Sequence, residues 1–243
     1  MTINPGIGIF LFLAAFFILT VVNSYIYLKR RKNKKAEKAL AEQHMEPVRL
    51  EKKHLQNCIV LSDRDEILDL LPKGAVAAEV GVLAGDFSEK ILARTAPKQL
   101  YLMDTFFSND WVESKNKRFN PESHLGFLKE RFKEQINRNV VHLQKGISWE
   151  VLKQFDDHFF DWIYVDAGHS YPEVYDDLLQ AKRLIKPNGY IIMNDYIFYS
   201  HAEEVNYGVI QAVNKLCLDD NFEVTHFALH PQMYCDVVLK RIV

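Results

Sequence analysis

Apolar residues are spaced in two different ways along this chain. Residues 6–28 (GIGIFLFLAAFFILTVVNSYIYL) carry no charged side chain. As a helix they would span roughly 35 Å, enough to cross a hydrocarbon core with some tilt. From about residue 60 onward, short apolar runs alternate with segments of helical period. That alternation predicts strands at 75–80, 99–104, 140–143, 162–165 and 190–194. Helices are predicted at 61–71, 87–95, 122–137, 148–155, 173–185 and 202–218, the first with Ser62 as N-cap and Pro72 as its stop. Two last strands, 222–229 and 234–240, lie close together in the chain, which favours an antiparallel pair. The pattern predicts an α/β fold: a doubly wound, mostly parallel, seven-stranded sheet with helices on both faces, preceded by one transmembrane helix. The expected organisation is an anchor over 1–28, a basic spacer over 29–58 and a globular domain over 59–243.

Charge sharpens this division. Residues 29–54 hold ten Lys/Arg and four Asp/Glu, and residues 1–28 hold none of either. The remainder is therefore acidic, with 20 basic and 28 acidic residues. Lys29–Lys35 directly follows the apolar stretch, and basic flanks are retained on the cytoplasmic side. The expectation is a single-pass membrane protein whose globular domain is cytoplasmic. A cleaved signal peptide is the competing reading, but it requires a basic n-region and a shorter apolar run. An acidic globular part argues against nucleic acid as a partner. Three scattered cysteines, Cys58, Cys217 and Cys235, lack metal-like spacing and fit a reducing compartment.

Ligands on such sheets bind at the carboxyl ends of the strands, so the residues just beyond each strand carry the chemistry. After the first comes EVGVLAGDFSEKI, a glycine turn opening a helix, with Glu79, Gly81 and Gly85. Its free N–H groups and the helix dipole favour an anionic or polar ligand. Asp104 ends the next strand, where a carboxylate either accepts the two hydroxyls of a ribose or caps the turn that follows. The fourth strand leads into DAGHSY, with Asp166 and His169, and the fifth ends in Asn194–Asp195. Adjacent parallel strands would gather Asp166, Asn194 and Asp195 at one rim as oxygen ligands for a hard cation such as Mg²⁺. His169 could then take a proton from a hydroxyl bound there. Residues 106–120, with Phe107 and Trp111, form a loop long enough to be a lid, and His124, Tyr171, Tyr196, Tyr199 and His201 are further candidates to border the site.

From about residue 60 to its end, the chain resembles the class I S-adenosylmethionine-dependent methyltransferases with a Rossmann-like fold. Within them it is similar to the small-molecule O-methyltransferases of the macrocin, or macrolide-sugar, type, which are related to the catechol type. The resemblance rests on EVGVLAGDFS, YLMDTF, FDWIYVDAGHSYPEVYDDLLQAKRLIKPNGYIIMNDY and YGVIQAVNKL. It implies S-adenosyl-L-methionine as cofactor, with Glu79, Gly81 and Gly85 along its methionine and ribose parts and Ser88 near its carboxylate. Asp104 would take the ribose hydroxyls, and Gly146 and Ser148 would lie by the adenine. Asp166, Asn194 and Asp195 would hold a divalent metal, and His169 with Asp166 would be catalytic. Related enzymes often carry Asp-Asp or Asp-Asn where this chain has Asn194–Asp195, and a neutral amide there weakens the hold on a cation. The implied activity is methyl transfer to a hydroxyl of a small molecule or glycan. A nicotinamide enzyme on the same fold would need a third glycine in the turn. A tethered, non-catalytic interaction protein is the remaining alternative.

Overall fold

A computed structural model describes residues 48–106 and 124–242. The predicted membrane span at 6–28, the basic run and most of the 106–120 loop lie outside the described residues. Among the described residues, no helix is long and apolar enough to cross a membrane.

The strands are β1 (Ile59–Leu61), β2 (Val76–Val80), β3 (Gln99–Asp104), β4 (Val141–Lys145), β5 (Phe160–Val165), β6 (Ile185–Met193), β7 (Tyr199–Ser200), β8 (Val205–Asn206), β9 (Phe222–Ala228) and β10 (Asp236–Arg241). The helices are α1 (Asp65–Leu70), α2 (Asp86–Thr95), α3 (His124–Arg131), α4 (Lys133–Asn137), α5 (Ser148–Leu152), α6 (Tyr171–Leu184) and α7 (Val209–Asp220). The main sheet has eight strands in the order β1-β9-β10-β6-β5-β2-β3-β4. β10 runs antiparallel to both β9 and β6, and the remaining pairs are parallel.

The eighth strand corrects the expected count of seven. β1, Ile59–Leu61, is apolar but only three residues long with two of them exposed, too short to read as a strand, and it adds to β9 at the edge. It also displaces the start of the first helix. Asp63, not Ser62, turns the chain there, its carboxylate accepting the Asp65 N–H at 2.7 Å. The helix expected over 122–137 is broken at the buried Phe132, whose non-helical backbone separates α3 from α4. The one expected at 202–218 starts later, because the β7–β8 hairpin occupies its first turn. α6 starts two residues early, at Tyr171, where Ser170 and Glu173 form a capping box with Pro172 in the first turn.

The sheet divides the core. On one face α1, α2 and α3 bury Ile67, Leu68, Ile91, Leu128 and Phe132 against Trp162 and Tyr164. On the other, α5, α6 and α7 bury Leu152, Leu178, Ala212 and Leu216 against Ile163 and Ile191.

Candidate active site

The glycine turn is tied to its neighbours on both sides. Gly81 takes φ +89°, and a Cβ built on it would collide with the Asp166 carbonyl, so β2 and β5 meet here with no room for a side chain. The Gly81 N–H donates to Met103 O at 2.8 Å, and the Asp166 N–H donates to Val80 O at 2.7 Å. Asp104 reaches across from β3. Its Oδ2 accepts the N–H groups of Val82 (2.9 Å) and Leu83 (3.2 Å), and its Oδ1 accepts that of Phe106 (2.9 Å). Gly81, Asp104 and Asp166 thus share one stretch of rim. Gly146 joins them, its N–H donating to the Asp104 carbonyl at 3.0 Å, with Ser148 opening α5 just beyond.

Two expected cofactor contacts have another role in the fold. Gly85, at φ +77°, turns the chain into α2, and a Cβ there would press on Phe132 and Leu128, so packing and geometry require this glycine. Ser88 is fully buried and donates its hydroxyl to Glu79. Glu79 is itself buried, and desolvation pushes its pKa up to about 8 against the opposing Ser88 bond; Asp166 and Asp104 add to the rise. At neutral pH it holds a proton. His124, also buried, sets Nε2 2.6 Å from Leu83 O and braces the turn from α3. Tyr196 is likewise engaged, bonding Asn214 of α7, whereas Tyr199 and His201 pack edge to face at the β7–β8 hairpin.

Beyond β5 and β6 a second group assembles. His169 Nε2 lies 3.8 Å from Asp166 Oδ1 and 3.5 Å from Asp195 Oδ2. The ring stacks on Tyr207 at 4.2 Å and 7°, and its carbonyl accepts the Gly208 N–H at 2.8 Å. Burial favours the neutral imidazole, but Asp166, then Asp195 and Glu203, outweigh it and the His169 pKa is raised. Asp195 is pushed up to about 6 by burial first and by Asp166 second. Among the described residues, Asp166, His169 and Asp195 are the group able to hold a metal ion, with ligand atoms within 4.8 Å of one another.

Asn194, next to Asp195, is buried. Its amide nitrogen donates to Asp236 Oδ1 (2.8 Å) and to Tyr164 Oη (3.2 Å), while the Tyr164 hydroxyl donates to Asp236 Oδ2 (2.6 Å). The amide nitrogen of Asn194 is thus held in a buried network, while His169 stands beside the two carboxylates.

Residues 78–196 match the model of a methyltransferase domain. The fold is shared with solved structures at low identity. The O-methyltransferase TomG from Streptomyces achromogenes, involved in tomaymycin synthesis and solved with S-adenosylmethionine, is 16% identical, with 74% of this chain and 80% of that one covered at a TM-score of 0.55. Cofactor-bound Rv0187 from MTB is 14% identical over 85% and 88% of the two chains, at 0.54. The chain spans 54% of the pyocyanin biosynthetic protein PhzM, covering 73% of itself at 16% identity and a TM-score of 0.49. No curated protein matches the chain in sequence. The chain is thus similar to a methyltransferase domain over residues 78–196, and its α/β fold is one that solved methyltransferases share.

Several residues that shape the candidate site had no signal in the sequence. Tyr164 lies in an apolar strand and reads as core, and Asp236 looks like the solvated start of the last strand, yet they form a buried hydrogen-bonded pair. Arg64, within SDRDE, reads as an exposed helix start but is half-buried at the rim. Asp177, on α6, is fully buried with both oxygens lacking a hydrogen-bond partner, and burial pushes its pKa up to about 7. Ser148 approaches it closely enough to oppose that rise without reaching hydrogen-bonding geometry.

The donor set at this rim fits a divalent metal. Asp166 and Asp195 offer carboxylate oxygens that converge there, and the His169 imidazole beside them, its Nε2 without a hydrogen-bond partner among the described residues, is free to take a proton.

Proposed function

We propose that the protein is a membrane-anchored O-methyltransferase that transfers the methyl group of S-adenosylmethionine to a hydroxyl of a small molecule or glycan. The observation that carries this reading is the placement of His169 between Asp166 and Asp195 at the same rim as the glycine turn. Bound S-adenosylmethionine supplies an electrophilic methyl group on a sulfonium.

His169 Nε2 takes the proton of the acceptor hydroxyl as the new carbon–oxygen bond forms. Asp166 and Asp195 stabilise the imidazolium that results, and stacking on Tyr207 fixes the ring plane. Glu79, protonated and neutral, leaves the negative charge of the rim to the two aspartates on the reacting side. Asp166 and Asp195 would hold a divalent ion such as Mg²⁺, whose Lewis acidity lowers the pKa of a bound hydroxyl. Asn194, a neutral amide where a second carboxylate could stand, weakens the electrostatic hold on that metal.

Residues 6–28 would anchor the enzyme with its domain in the cytoplasm, beside a lipid-linked or membrane-borne acceptor. Transfer of labelled methyl groups into a membrane-plus-metabolite extract tests the whole reading. Labelling is expected with the intact enzyme and is lost in His169→Ala. Labelling that survives chelation places the work on His169 without a metal. A melting point raised by NAD and unmoved by S-adenosylmethionine would overturn the assignment. Equal activity on free and membrane-borne acceptors after removal of residues 1–30 would count against the anchor's role.

A further inference from the structure

The rim is rich in acids and poor in cations. Glu79, Asp166, Asp195 and Asp236 all lie near enough to Arg64 to interact with it electrostatically. Yet among the described residues the Arg64 guanidinium forms no ion pair within 4 Å, and its one hydrogen bond is a long 3.5 Å contact to the Tyr164 hydroxyl. It is fixed instead by stacking. Its Cζ sits 4.8 Å from the centre of the Phe87 ring, which packs on Tyr164 at 4.4 Å. A planar five-donor group held over an aromatic ring with most of its donors unused is prepared for a carboxylate.

Its position suggests which carboxylate. Tyr164 pairs with Glu79 in the sheet register, and Phe87 precedes Ser88 in the first turn of α2. Asp104, the candidate ribose ligand, lies on the opposite side of β2, on β3. A nucleoside held at Asp104 with its 5′ substituents directed across Gly81 would reach β5, the strand on the other side of β2. His169 and Tyr207 lie toward the α6–α7 layer, and Arg64 and Phe87 lie toward the α1–α2 layer. The methyl group and the amino-acid tail of the sulfonium can therefore diverge, one to each face. The tail is a zwitterion: the acidic rim serves its ammonium, and its carboxylate needs a cation. Ser88, the residue expected to serve that carboxylate, has spent its hydroxyl on Glu79.

We propose that Arg64 binds the α-carboxylate of the cofactor's amino-acid tail and so distinguishes intact S-adenosyl cofactors from decarboxylated ones. This rests on the assignment of S-adenosylmethionine as the cofactor. The test is calorimetric binding of S-adenosylhomocysteine and of its decarboxylated analogue, which keeps the ammonium, to the full chain and to Arg64→Gln and Arg64→Lys. The full chain is expected to prefer the carboxylate-bearing ligand by tenfold or more. Arg64→Gln should abolish that preference while leaving affinity for the analogue unchanged, and Arg64→Lys should restore part of it. An equal loss for both ligands in Arg64→Gln, or a preference that survives the substitution, overturns the proposal. If the full chain binds neither ligand, the cofactor assignment itself has failed. Melting points without ligand separate a folding defect from a lost contact.

Discussion

At Gly81 two strands approach so closely that a single methyl group has nowhere to go. An alanine there meets the Asp166 carbonyl and must also adopt a dihedral that only glycine holds without strain. Because Asp166 is displaced along with the turn, Gly81→Ala should lose about 3 kcal/mol of stability and measurable S-adenosylmethionine affinity together. Urea unfolding and ligand titration would show both losses, and a variant with full affinity would separate the turn from the site. His169 predicts the opposite split. Its ring packs on Tyr207, beyond β5, so His169→Ala should keep cofactor affinity while the turnover rate falls by about 10²–10⁴. A comparable loss of binding in that variant would make His169 a structural residue.

Elements, rather than single residues, decide how the two halves of the site meet. α7 begins at Gly208, whose N–H donates to the His169 carbonyl, and a Cβ on Gly208 would run into the backbone of Tyr171 at the start of α6. Gly208→Ala should push the two helix starts apart at a cost of about 3 kcal/mol and slow methyl transfer through His169, with cofactor affinity retained. Activity unchanged in a destabilised variant would show that the α6–α7 junction does not set the imidazole. The sequence made this architecture readable where hydrophobic period was strong. Asp104 closes β3 at the residue expected, and the β9–β10 pair is antiparallel as its short connection implied. β1 escaped notice because its apolar run, Ile59–Leu61, is only three residues long and leads straight into the helix expected from Leu61. The Asp166–Asp195 convergence followed from strand adjacency, which the βα alternation dictates. The side to which Asn194 turns did not follow from it. That depends on Tyr164 and Asp236, the latter on a strand 42 residues further along the chain.

Across the molecule, burial of acids gives a pH dependence of unusual sign. Glu79 at the rim, Asp177 on α6 and Asp236 on β10 have their pKa values pushed up to about 8, about 7 and about 7, in each case chiefly by desolvation. Their ordinary values are 4.5 for Glu79 and 3.8 for the two aspartates, so between those values and neutrality the folded chain holds protons that the unfolded chain has released. Stability from these groups is complete below pH 4 and falls as the pH rises toward 7 and 8. The raised His169 works in the same direction, since its charged form is favoured in the fold and lost as the pH increases. The ligand-free chain should therefore unfold at higher urea concentration at pH 5.5 than at pH 8, the reverse of ordinary acid denaturation. Glu79→Gln keeps an acceptor for the Ser88 hydroxyl and removes one titration. Its stability should fall with pH less steeply than the parent's, by about 1.4 kcal/mol per pH unit between roughly pH 5 and 7. Urea midpoints of both proteins measured across that range decide the matter. Parallel slopes would mean that Glu79 is ionised in the fold, and the rim would then carry one more negative charge to meet the sulfonium.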